Sequence, residues 1–288
     1  MKKTISVIGG DSRQLYAAGY LNKNGYNVSI YACEHGKLPE GTLFINDISD
    51  AMKSDIIILP LPVSKNGALL NTPLSSKEIK LKDITDSITE NHTVFFGMGN
   101  SAFTKQLSAK TSLYTDYFNF ESLIYKNALL TSEGILQIML EKIPVTIFGM
   151  KVAITGFGRI GYFITDKLIK LGADVSVFAR NEIQRLKAET IGAHPYKIES
   201  LLSEISSYDC VINTVPSMVI DNNSIKKSKR DCVFIETASA PYGINAEACA
   251  ENYRTLIKAF SLPGKTAPAS AGIIIGETIH SALKEMTE

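Results

Sequence analysis

The sequence predicts an α/β protein made of two Rossmann-like domains, each a doubly wound parallel sheet, joined by a long helix. Short β-branched runs alternate with helix-like segments through both halves of the chain, which is typical of parallel α/β sheets. A helix-like stretch without proline, residues 120–142, separates the halves. The length of 288 residues also favours two domains, at about 100–200 residues each. We expect a C-terminal helix to return to the first domain.

Each half contains its own series of strands and helices. In the first half, ISVIG, NVSIYA, TLFI, DIIILPL, TVFFGM and SLYTD predict strands, and residues 12–23 and 101–109 predict helices. In the second half the strands are KVAITG, DVSVFA, YDCVINTV, DCVFIETA and TLIKAF, with helices at 157–171 and 181–191, and the run 269–284 predicts a closing helix. These elements place an N-terminal domain at 1–120 plus 268–288, a linking helix at 121–145 and a second Rossmann domain at 146–267.

The composition argues against several classes of partner. With 30 basic and 29 acidic side chains, the chain lacks the charge that would attract nucleic acid or an anionic membrane. Four cysteines lie far apart without a C-x-x-C pair, which favours free thiols in a reducing cytosol over disulfides or zinc. The N-terminal apolar run ends early, at Gly-Gly-Asp, whereas a signal peptide needs about 7–15 apolar residues and a membrane helix about 20. We expect a cytoplasmic protein without a metal.

The segment KVAITGFGRIG carries the most specific signal. It places Gly156, Gly158 and Gly161 in a G-x-G-x-x-G pattern directly after a strand and at the start of a helix. There the first glycine allows a tight turn, the second lets backbone approach a pyrophosphate, and the third lets helix and strand pack closely. The helix N-terminus adds N–H groups and a positive dipole end. We expect a dinucleotide here, with Arg159 and Ile160 in the same site; the alternative is a glycine-rich turn without a ligand.

The end of the next strand indicates which dinucleotide binds. NAD enzymes usually carry an acidic residue there that accepts from the ribose 2′-hydroxyl, but DVSVFA is followed by Arg180 and Asn181, with Arg185 one helical turn later. A guanidinium can bind a 2′-phosphate that a carboxylate would repel. The pattern therefore favours NADP over NAD. In the alternative, Arg180 is a surface residue and Asp174 or Glu182 binds the ribose.

Two further strands of the second half end in small, polar and turn-forming residues. Asn213, Thr214 and Pro216 close the strand YDCVINTV, and Ala238 lies in the segment ETASAPYG after the following strand. Ligands of open parallel sheets collect at the C-terminal edge of the strands. We expect both loops to lie against the nicotinamide half of the cofactor, although NTVP alone also fits an ordinary turn.

Three strands of the first half end in loops rich in glycine, proline and polar residues: GGDSR, PLPVSKNG and GMGNS. If these strands are parallel, the loops share one edge and face the cofactor domain across a cleft. Arg13 and Lys65 would supply positive charge there, and Asn100 and Ser101 could bind an oxyanion or cap the next helix. Each cation alone also fits a surface role, but together the loops predict a small anionic substrate, a carboxylate.

The histidines form no catalytic pattern. His35, His92 and His194 fall in turn-like segments, and His280 lies on the closing helix. We expect solvated or capping roles for all four. The sequence shows no Ser-His-Asp set, paired-acid motif or metal-binding motif.

Several segments together resemble one family, the A subunits of dipicolinate synthase. They are, in order, GGDSRQLYAAGYL, LPLPVSKNG, FFGMGN, NALLTSEGILQIML, GFGRIG, ETASAPYGIN and LPGKTAPASAGIIIGETI. The resemblance runs nearly end to end, and G-G-D-x-R-Q and P-G-K-x-A-P-x-S-A-G are its most distinctive parts. The segment ETASAPYG departs from the family pattern, with Glu236 in place of Asp and Tyr242 in place of Gly.

The resemblance implies the last step of dipicolinate formation in the mother cell of a sporulating bacterium. A dihydrodipicolinate-level intermediate of the lysine pathway would be oxidised to dipicolinate, with hydride transfer to NADP. It also implies a partner, a B subunit similar to flavin-dependent decarboxylase-type flavoproteins. Lys65 and Lys265 are candidate catalytic bases if burial lowers the pKa of a lysine, and binding of the substrate carboxylates is the other role open to them.

Two other functions stay open on the sequence. The chain could be another NADP-dependent dehydrogenase of small carboxylates, similar to shikimate or alanine dehydrogenases. It could also be a non-catalytic NADP-binding subunit, because no acid–base residue stands out. A homo-oligomer is compatible with the sequence as well.

Overall fold

The chain folds into two compact units, as seen in a computed structural model that describes residues 3–286. The first unit comprises the residues up to Asn127 together with those from Ala267 onward, and the second comprises Ala128–Thr266. The division falls inside a helix of 22 residues. The long helix predicted between the two halves of the sequence is therefore present.

The first unit is a six-stranded parallel sheet with helices packed on both faces. Its elements begin in chain order with β1 (Thr4–Ile8), α1 (Ser12–Lys23), β2 (Asn27–Tyr31), β3 (Leu43–Phe44), α2 (Ile48–Ala51), β4 (Ile56–Ile58), α3 (Leu81–Ser87), β5 (Thr93–Phe96), α4 (Ser101–Ser108), β6 (Tyr114–Asp116) and α5 (Glu121–Lys142). The strands lie in the order β3-β2-β1-β4-β5-β6, and all neighbours are parallel. This is the strand order of the Rossmann fold.

The second unit repeats the same architecture. It continues from α5 with β7 (Lys151–Thr155), α6 (Arg159–Lys170), β8 (Asp174–Phe178), α7 (Glu182–Thr190), β9 (His194–Tyr196), α8 (Leu201–Glu204), β10 (Cys210–Asn213), α9 (Asn222–Lys227), β11 (Val233–Glu236), α10 (Ala246–Glu251), β12 (Thr255–Lys258) and α11 (Leu262–Thr266), after which α12 (Pro268–Glu285) belongs to the first unit. Its parallel strands lie in the order β12-β11-β10-β7-β8-β9. Counted within the unit, this is again the Rossmann order.

Alternating side chains along the central strands fill a core on each face of each sheet. In β1, Ile5 and Val7 enter one core while Ile8 enters the other. In β7, Val152 lies in the core that α6 covers, and Ala153 lies in the opposite one. Because both faces are covered, these strands consist of nearly continuous apolar residues, as is usual in parallel sheets.

The C-terminal helix packs against the first helix of the same unit. A Cβ atom on Gly272 would collide with the backbone carbonyl of Arg13, and one on Gly276 would come within 2.9 Å of the Tyr20 ring. Helix α12 can therefore approach α1 closely only because both positions lack a side chain. The predicted return of the C-terminal helix to the first domain is confirmed.

One strand differs from the sequence-based expectation. His194 lies in β9 rather than in a turn, and Pro195 is the central residue of that strand. Proline cannot donate to a sheet, but β9 is an edge strand, where a missing N–H is tolerated. Across residues 3–286, none of the helices has the length and apolar character needed to cross a membrane.

Candidate dinucleotide-binding site

The predicted glycine loop connects β7 to α6 in the second unit. Gly156 has a φ of +84°, and a Cβ atom there would lie 2.7 Å from Thr214 Oγ1. A Cβ atom on Gly161, which is buried in the first turn of α6, would collide with the carbonyl oxygen of Gly156. Both positions therefore need glycine for the turn and for close packing of helix and strand.

Gly158 is different, because the space beside it is open. It is the N-cap residue of α6, it is exposed, and a Cβ atom there would meet no atom within 4 Å. No side chain within residues 3–286 caps this helix end, and the first turn of an α-helix has N–H groups that the helix itself does not bond. An open cradle in front of an uncapped helix N-terminus fits a pyrophosphate.

Three buried polar residues form a row across the ends of three neighbouring strands. Thr155 ends β7, Asn213 ends β10 and Glu236 ends β11, and the strand register pairs Asn213 with each of the others. Thr155 Oγ1 donates to Asn213 Oδ1 over 2.6 Å, and Asn213 Nδ2 donates to Glu236 Oε1 over 2.7 Å. The row therefore connects the bases of three loops at the C-terminal edge of the sheet.

The side chain of Glu236 binds the backbone of its own segment, ETASAPYG, and of the residue that follows it. Its Oε1 also accepts from the backbone N–H of Ala238 over 2.9 Å, and its Oε2 accepts from those of Gly243 and Ile244 over 2.8 and 2.9 Å. The side chain is only 2% exposed. The loop after β11 thus folds around this carboxylate, whose two oxygens receive N–H donors.

The loop after β10 is tied to the glycine loop. Thr214 donates through Oγ1 to the carbonyl oxygen of Thr155 over 2.8 Å, and Asn213 Nδ2 also donates to the carbonyl of Val215 over 2.9 Å. Pro216 is exposed just beyond. The structure therefore brings the predicted Asn213 and Thr214 close to the turn at Gly156, and Glu236 links Ala238 to Asn213.

At the end of β8, Arg180 is exposed and Asn181 is the N-cap of α7, accepting from the N–H of Ile183 over 2.8 Å. Arg185 donates through Nη1 to the carbonyls of Ala179 and Arg180 over 2.9 and 2.7 Å. Arg185 therefore supports the loop that carries Arg180.

Of the two acidic residues considered as ribose ligands, one is wrongly placed. Asp174 is the first residue of β8, at the strand end opposite to Arg180, and it lies 3.2 Å from His194 Nε2. Glu182 is the first residue of α7 and stays near the loop. Asp174 is therefore excluded as a ribose ligand by its position in the strand.

In the first unit, Arg13 is more enclosed than a surface cation would be. It is 8% exposed, its Nη2 lies 2.8 Å from Asp11 Oδ2, and it also donates to the backbone carbonyl of Leu61. Asp11 in turn caps α1 by accepting from the N–H of Arg13. Arg13 therefore joins two of the loops that the sequence places at one edge of the sheet.

Asn100 and Ser101 lie at the N-terminus of α4. Asn100 is the N-cap residue, and its Oδ1 accepts from the N–H of Phe103 over 2.8 Å. Ser101 is the first helical residue and is exposed. The capping alternative considered for Asn100 is thus realised in this structure.

The two lysines considered as catalytic bases are both exposed. Lys65 lies in the loop after β4, and Lys265 lies in the short helix α11. A base role was conditional on burial, and neither side chain is buried. The assignment of Lys65 or Lys265 as a catalytic base therefore loses its physical support, whereas carboxylate binding needs no burial.

Sequence reasoning did not identify Thr155 and Glu236 as site residues. Both are polar residues at the end of apolar strands, directly before a loop at the C-terminal edge. That position was the available signal. Their mutual connection through Asn213 depends on strand register, which the sequence does not state.

The chain consists of two Rossmann units, and the second carries an open glycine loop at a helix N-terminus. This combination defines a two-domain protein with a dehydrogenase-type NAD(P)-binding domain. Comparison with known families agrees. Residues 124–251 match the family model described as the D-isomer specific 2-hydroxyacid dehydrogenase, NAD binding domain, and residues 4–118 match the model of the N-terminal domain of the dipicolinate synthase A subunit.

Relatives that match nearly the whole chain are A subunits of dipicolinate synthase as well. The chain is 28% identical over 286 residues to the A subunit of dipicolinate synthase from Bacillus subtilis (strain 168), covering 98% of this chain and 96% of the relative. It superposes on a crystal structure of that synthase's A chain from Bacillus subtilis with a TM-score of 0.87 and 26% identity, covering 100% and 97% of the two chains. The crystal structure of the A subunit from Bacillus halodurans superposes with a TM-score of 0.88 and 24% identity, covering 98% of this chain and 97% of the other. It supports the fold.

The chain therefore belongs to the family of dipicolinate synthase A subunits. The name of the Bacillus subtilis relative denotes one subunit of a synthase.

Proposed function

We propose that this chain oxidises a dihydrodipicolinate-level intermediate of the lysine pathway to dipicolinate, with hydride transfer to NADP. The observation that carries the proposal is the open cradle at Gly158, in front of the N-terminus of α6, in a chain of the dipicolinate synthase family. The family supplies the reaction, and the cradle supplies a place for the hydride acceptor.

The residues of the second unit fit the dinucleotide in three respects. The turn at Gly156 and the first turn of α6, with Arg159, Ile160 and Gly161, would bind the pyrophosphate. The loops that follow β10 and β11 would lie against the nicotinamide, which accepts the hydride when it is bound. The Thr155–Asn213–Glu236 row fixes the bases of these loops before any ligand arrives.

We assign NADP rather than NAD because of the loop after β8. Arg180 is exposed there, and Asn181 and Arg185 hold the loop through hydrogen bonds to backbone. A guanidinium forms paired, charge-assisted hydrogen bonds with a phosphate. Glu182, two residues after Arg180, would oppose a 2′-phosphate, so the choice depends on the side chain of Arg180.

The substrate would be a dicarboxylate, and its oxidation needs little from the protein beyond positioning. Loss of a hydride from one ring carbon and of a proton from the ring leaves an aromatic pyridine, so the chemistry is favourable once the ring is held in place. Lys65, Ser101 and Lys265 are exposed polar groups that could bind carboxylates. Arg13 would contribute through Asp11 and the Leu61 carbonyl, by fixing the loops, and Asn100 by capping α4.

We further propose that the chain works with a flavoprotein-like B subunit in the cytoplasm of the mother cell of a sporulating bacterium. This follows from the family alone. Co-purification of the two proteins from the same extract would support it.

The decisive experiment supplies the purified chain with the lysine-pathway intermediate and either NADP or NAD, with and without the B subunit. Formation of dipicolinate together with reduced dinucleotide by the chain alone supports the proposal. Turnover of shikimate or alanine, without turnover of the intermediate, would contradict it. Dinucleotide binding without turnover, even with the B subunit present, would assign the chain a non-catalytic role.

A further inference from the structure

The buried carboxylate of Glu236 has no cationic partner. Four N–H donors reach it, one from the Asn213 amide and three from the backbone of its own loop. Within residues 3–286, no lysine, arginine or histidine forms a salt bridge with it. Its register partner on β12, Lys258, is exposed to solvent. The donors orient the carboxylate, but its negative charge is not neutralised by an ion pair.

The four donors match the hydrogen-bonding capacity of an ionised carboxylate. An ionised carboxylate is an acceptor only, whereas a protonated one must also donate. Each of the two oxygens of Glu236 accepts from two N–H groups. A proton on either oxygen would face one of these donors.

The position of Glu236 in the sheet determines which part of a dinucleotide would come near it. A Rossmann sheet consists of two mononucleotide-binding halves. The glycine loop after β7 and Arg180 after β8 assign the adenosine end to the half that contains β7, β8 and β9. Glu236 ends β11 in the other half, directly below the loop that would receive the nicotinamide.

The two redox forms of that ring differ in charge. The oxidised ring is a pyridinium cation, and the reduced ring is neutral. A fixed anion in a poorly solvated place interacts with the cation and leaves the neutral ring almost unaffected. Binding of the oxidised form would thus gain from Glu236, and binding of the reduced form would not.

We propose that Glu236 is a positioning and selectivity residue that favours the oxidised dinucleotide over the reduced one at the nicotinamide end of the site. The inference rests on the proposed binding of a dinucleotide by the second unit. Its consequence for the reaction is direct, because the hydride acceptor binds well and the reduced product is released.

The test compares the dissociation constants of oxidised and reduced NADP for the full chain and for Glu236→Gln. Glutamine removes the charge and keeps one oxygen, which accepts from Asn213 Nδ2 and from the N–H of Ala238. Its NH2 group then faces the N–H groups of Gly243 and Ile244, which affects both redox forms alike, so the ratio of the two constants isolates the charge.

The ratio of the reduced to the oxidised dissociation constant is expected to fall about ten-fold, which corresponds to ~1.4 kcal/mol. The matched control is Asp209→Asn, which removes one negative charge from the residue before β10, at the opposite edge of the same sheet. Its ratio should equal that of the unchanged chain.

An unchanged ratio of the two dissociation constants in Glu236→Gln would overturn the proposal. If both redox forms then bind equally more weakly, the residue only shapes the loop. If the unchanged chain binds neither oxidised nor reduced NADP, the proposed dinucleotide function itself is refuted.

If the variant does not fold, the unchanged chain still decides the question. A dinucleotide whose pyridinium is replaced by a neutral benzamide ring has nearly the same shape as the oxidised form. We expect it to bind about ten-fold more weakly than the oxidised form. Equal affinity of the two would contradict a role for the charge of Glu236.

Discussion

Asn213 Nδ2 lies 2.7 Å from Glu236 Oε1, which joins the last residues of β10 and β11 through buried side chains. The same amide group accepts from Thr155 through its oxygen. Asn213 is therefore the central member of a row that reaches from the glycine loop to the loop after β11. Removing it would leave the buried Thr155 hydroxyl without its acceptor and would take one of four N–H donors from the Glu236 carboxylate.

We expect Asn213→Ala to lower the free energy of unfolding by about 2–4 kcal/mol, because an unsatisfied buried hydroxyl costs ~1–3 kcal/mol and a lost hydrogen bond to a carboxylate adds to that cost. Urea unfolding measures this. Asn223→Ala, at an exposed position of α9, serves as control and should stay within about 0.5 kcal/mol of the unchanged chain. Equal stability of the two variants would mean that the row contributes nothing.

Cofactor choice depends on Arg180. We expect NADP to bind at least ten-fold more tightly than NAD, about 1.4 kcal/mol, and Arg180→Ala to remove most of that preference while leaving the affinity for NAD nearly unchanged. Calorimetry measures both affinities. Arg230→Ala changes an exposed arginine in the turn before β11 and should keep the preference. Similar affinities for the two dinucleotides in the unchanged chain would refute the 2′-phosphate assignment.

Arg13 and Lys65 should differ in their effect on stability. Arg13→Ala removes the guanidinium from Asp11, which keeps only the backbone N–H of residue 13, and takes the side-chain donor from the Leu61 carbonyl. We therefore expect a loss of about 1–3 kcal/mol in the free energy of unfolding. Lys65 is exposed, and Lys65→Ala should change it by less than about 0.5 kcal/mol. If Lys65 binds a substrate carboxylate, its variant should still show a higher KM for the substrate. An unchanged KM in Lys65→Ala would remove this residue from the substrate site.

The stability of the chain should fall at alkaline pH because of its buried thiols. Burial raises the pKa of Cys33 and of Cys232 to about 12 and that of Cys249 to about 11. A group whose pKa is higher in the folded state stabilises it fully below the unfolded pKa, which is about 8.5 for a thiol. That stabilisation is lost as the pH rises from there towards the folded values.

Urea unfolding at about pH 7 and pH 10 tests this, and Cys33→Ala is the comparison because it removes one of these thiols. We expect a clear loss at the higher pH, and a smaller loss in the variant. The native chain should also react slowly with thiol reagents, because the thiolate is the nucleophile. Fast reaction of all four cysteines at neutral pH would contradict the burial of these groups.

Among the described residues, eleven of the twelve strands and the longer helices α1, α4, α5, α6, α7 and α12 could be predicted, because their apolar periodicity and turn residues are local signals. The glycine loop was predictable for the same reason, since Gly156, Gly158 and Gly161 act within six residues of one another. Helices α2, α3, α8, α9, α10 and α11 were not predicted, because four to seven residues show too little periodicity. Strand β9 was missed because it has three residues, one of them proline, and shows no apolar run. Its pairing with β8 makes it a strand, and this pairing is not visible in the local sequence.

The polar row could not be predicted, because it joins residues 58 and 23 positions apart through the register of three strands. The same limit applies to Arg13. Its place in the segment GGDSR suggested a cation available to a ligand. The fold instead brings the Leu61 carbonyl, 48 residues away in sequence, to its guanidinium. Burial decides the chemistry of Lys65 and Lys265, and the sequence does not determine burial for a lysine in a loop.

Calorimetric titration of NADP into the unchanged chain and into Gly158→Ala tests the central claim, that the second unit binds a dinucleotide at this glycine loop. The added methyl group meets no protein atom within 4 Å, so the thermal stability of the free chain should change little. It would occupy the cradle where a pyrophosphate must approach the backbone. We predict one site with saturable binding in the unchanged chain and at least ten-fold weaker binding in the variant. If the unchanged chain does not bind NADP, or if the variant binds it equally well, the second unit does not bind a dinucleotide at this glycine loop.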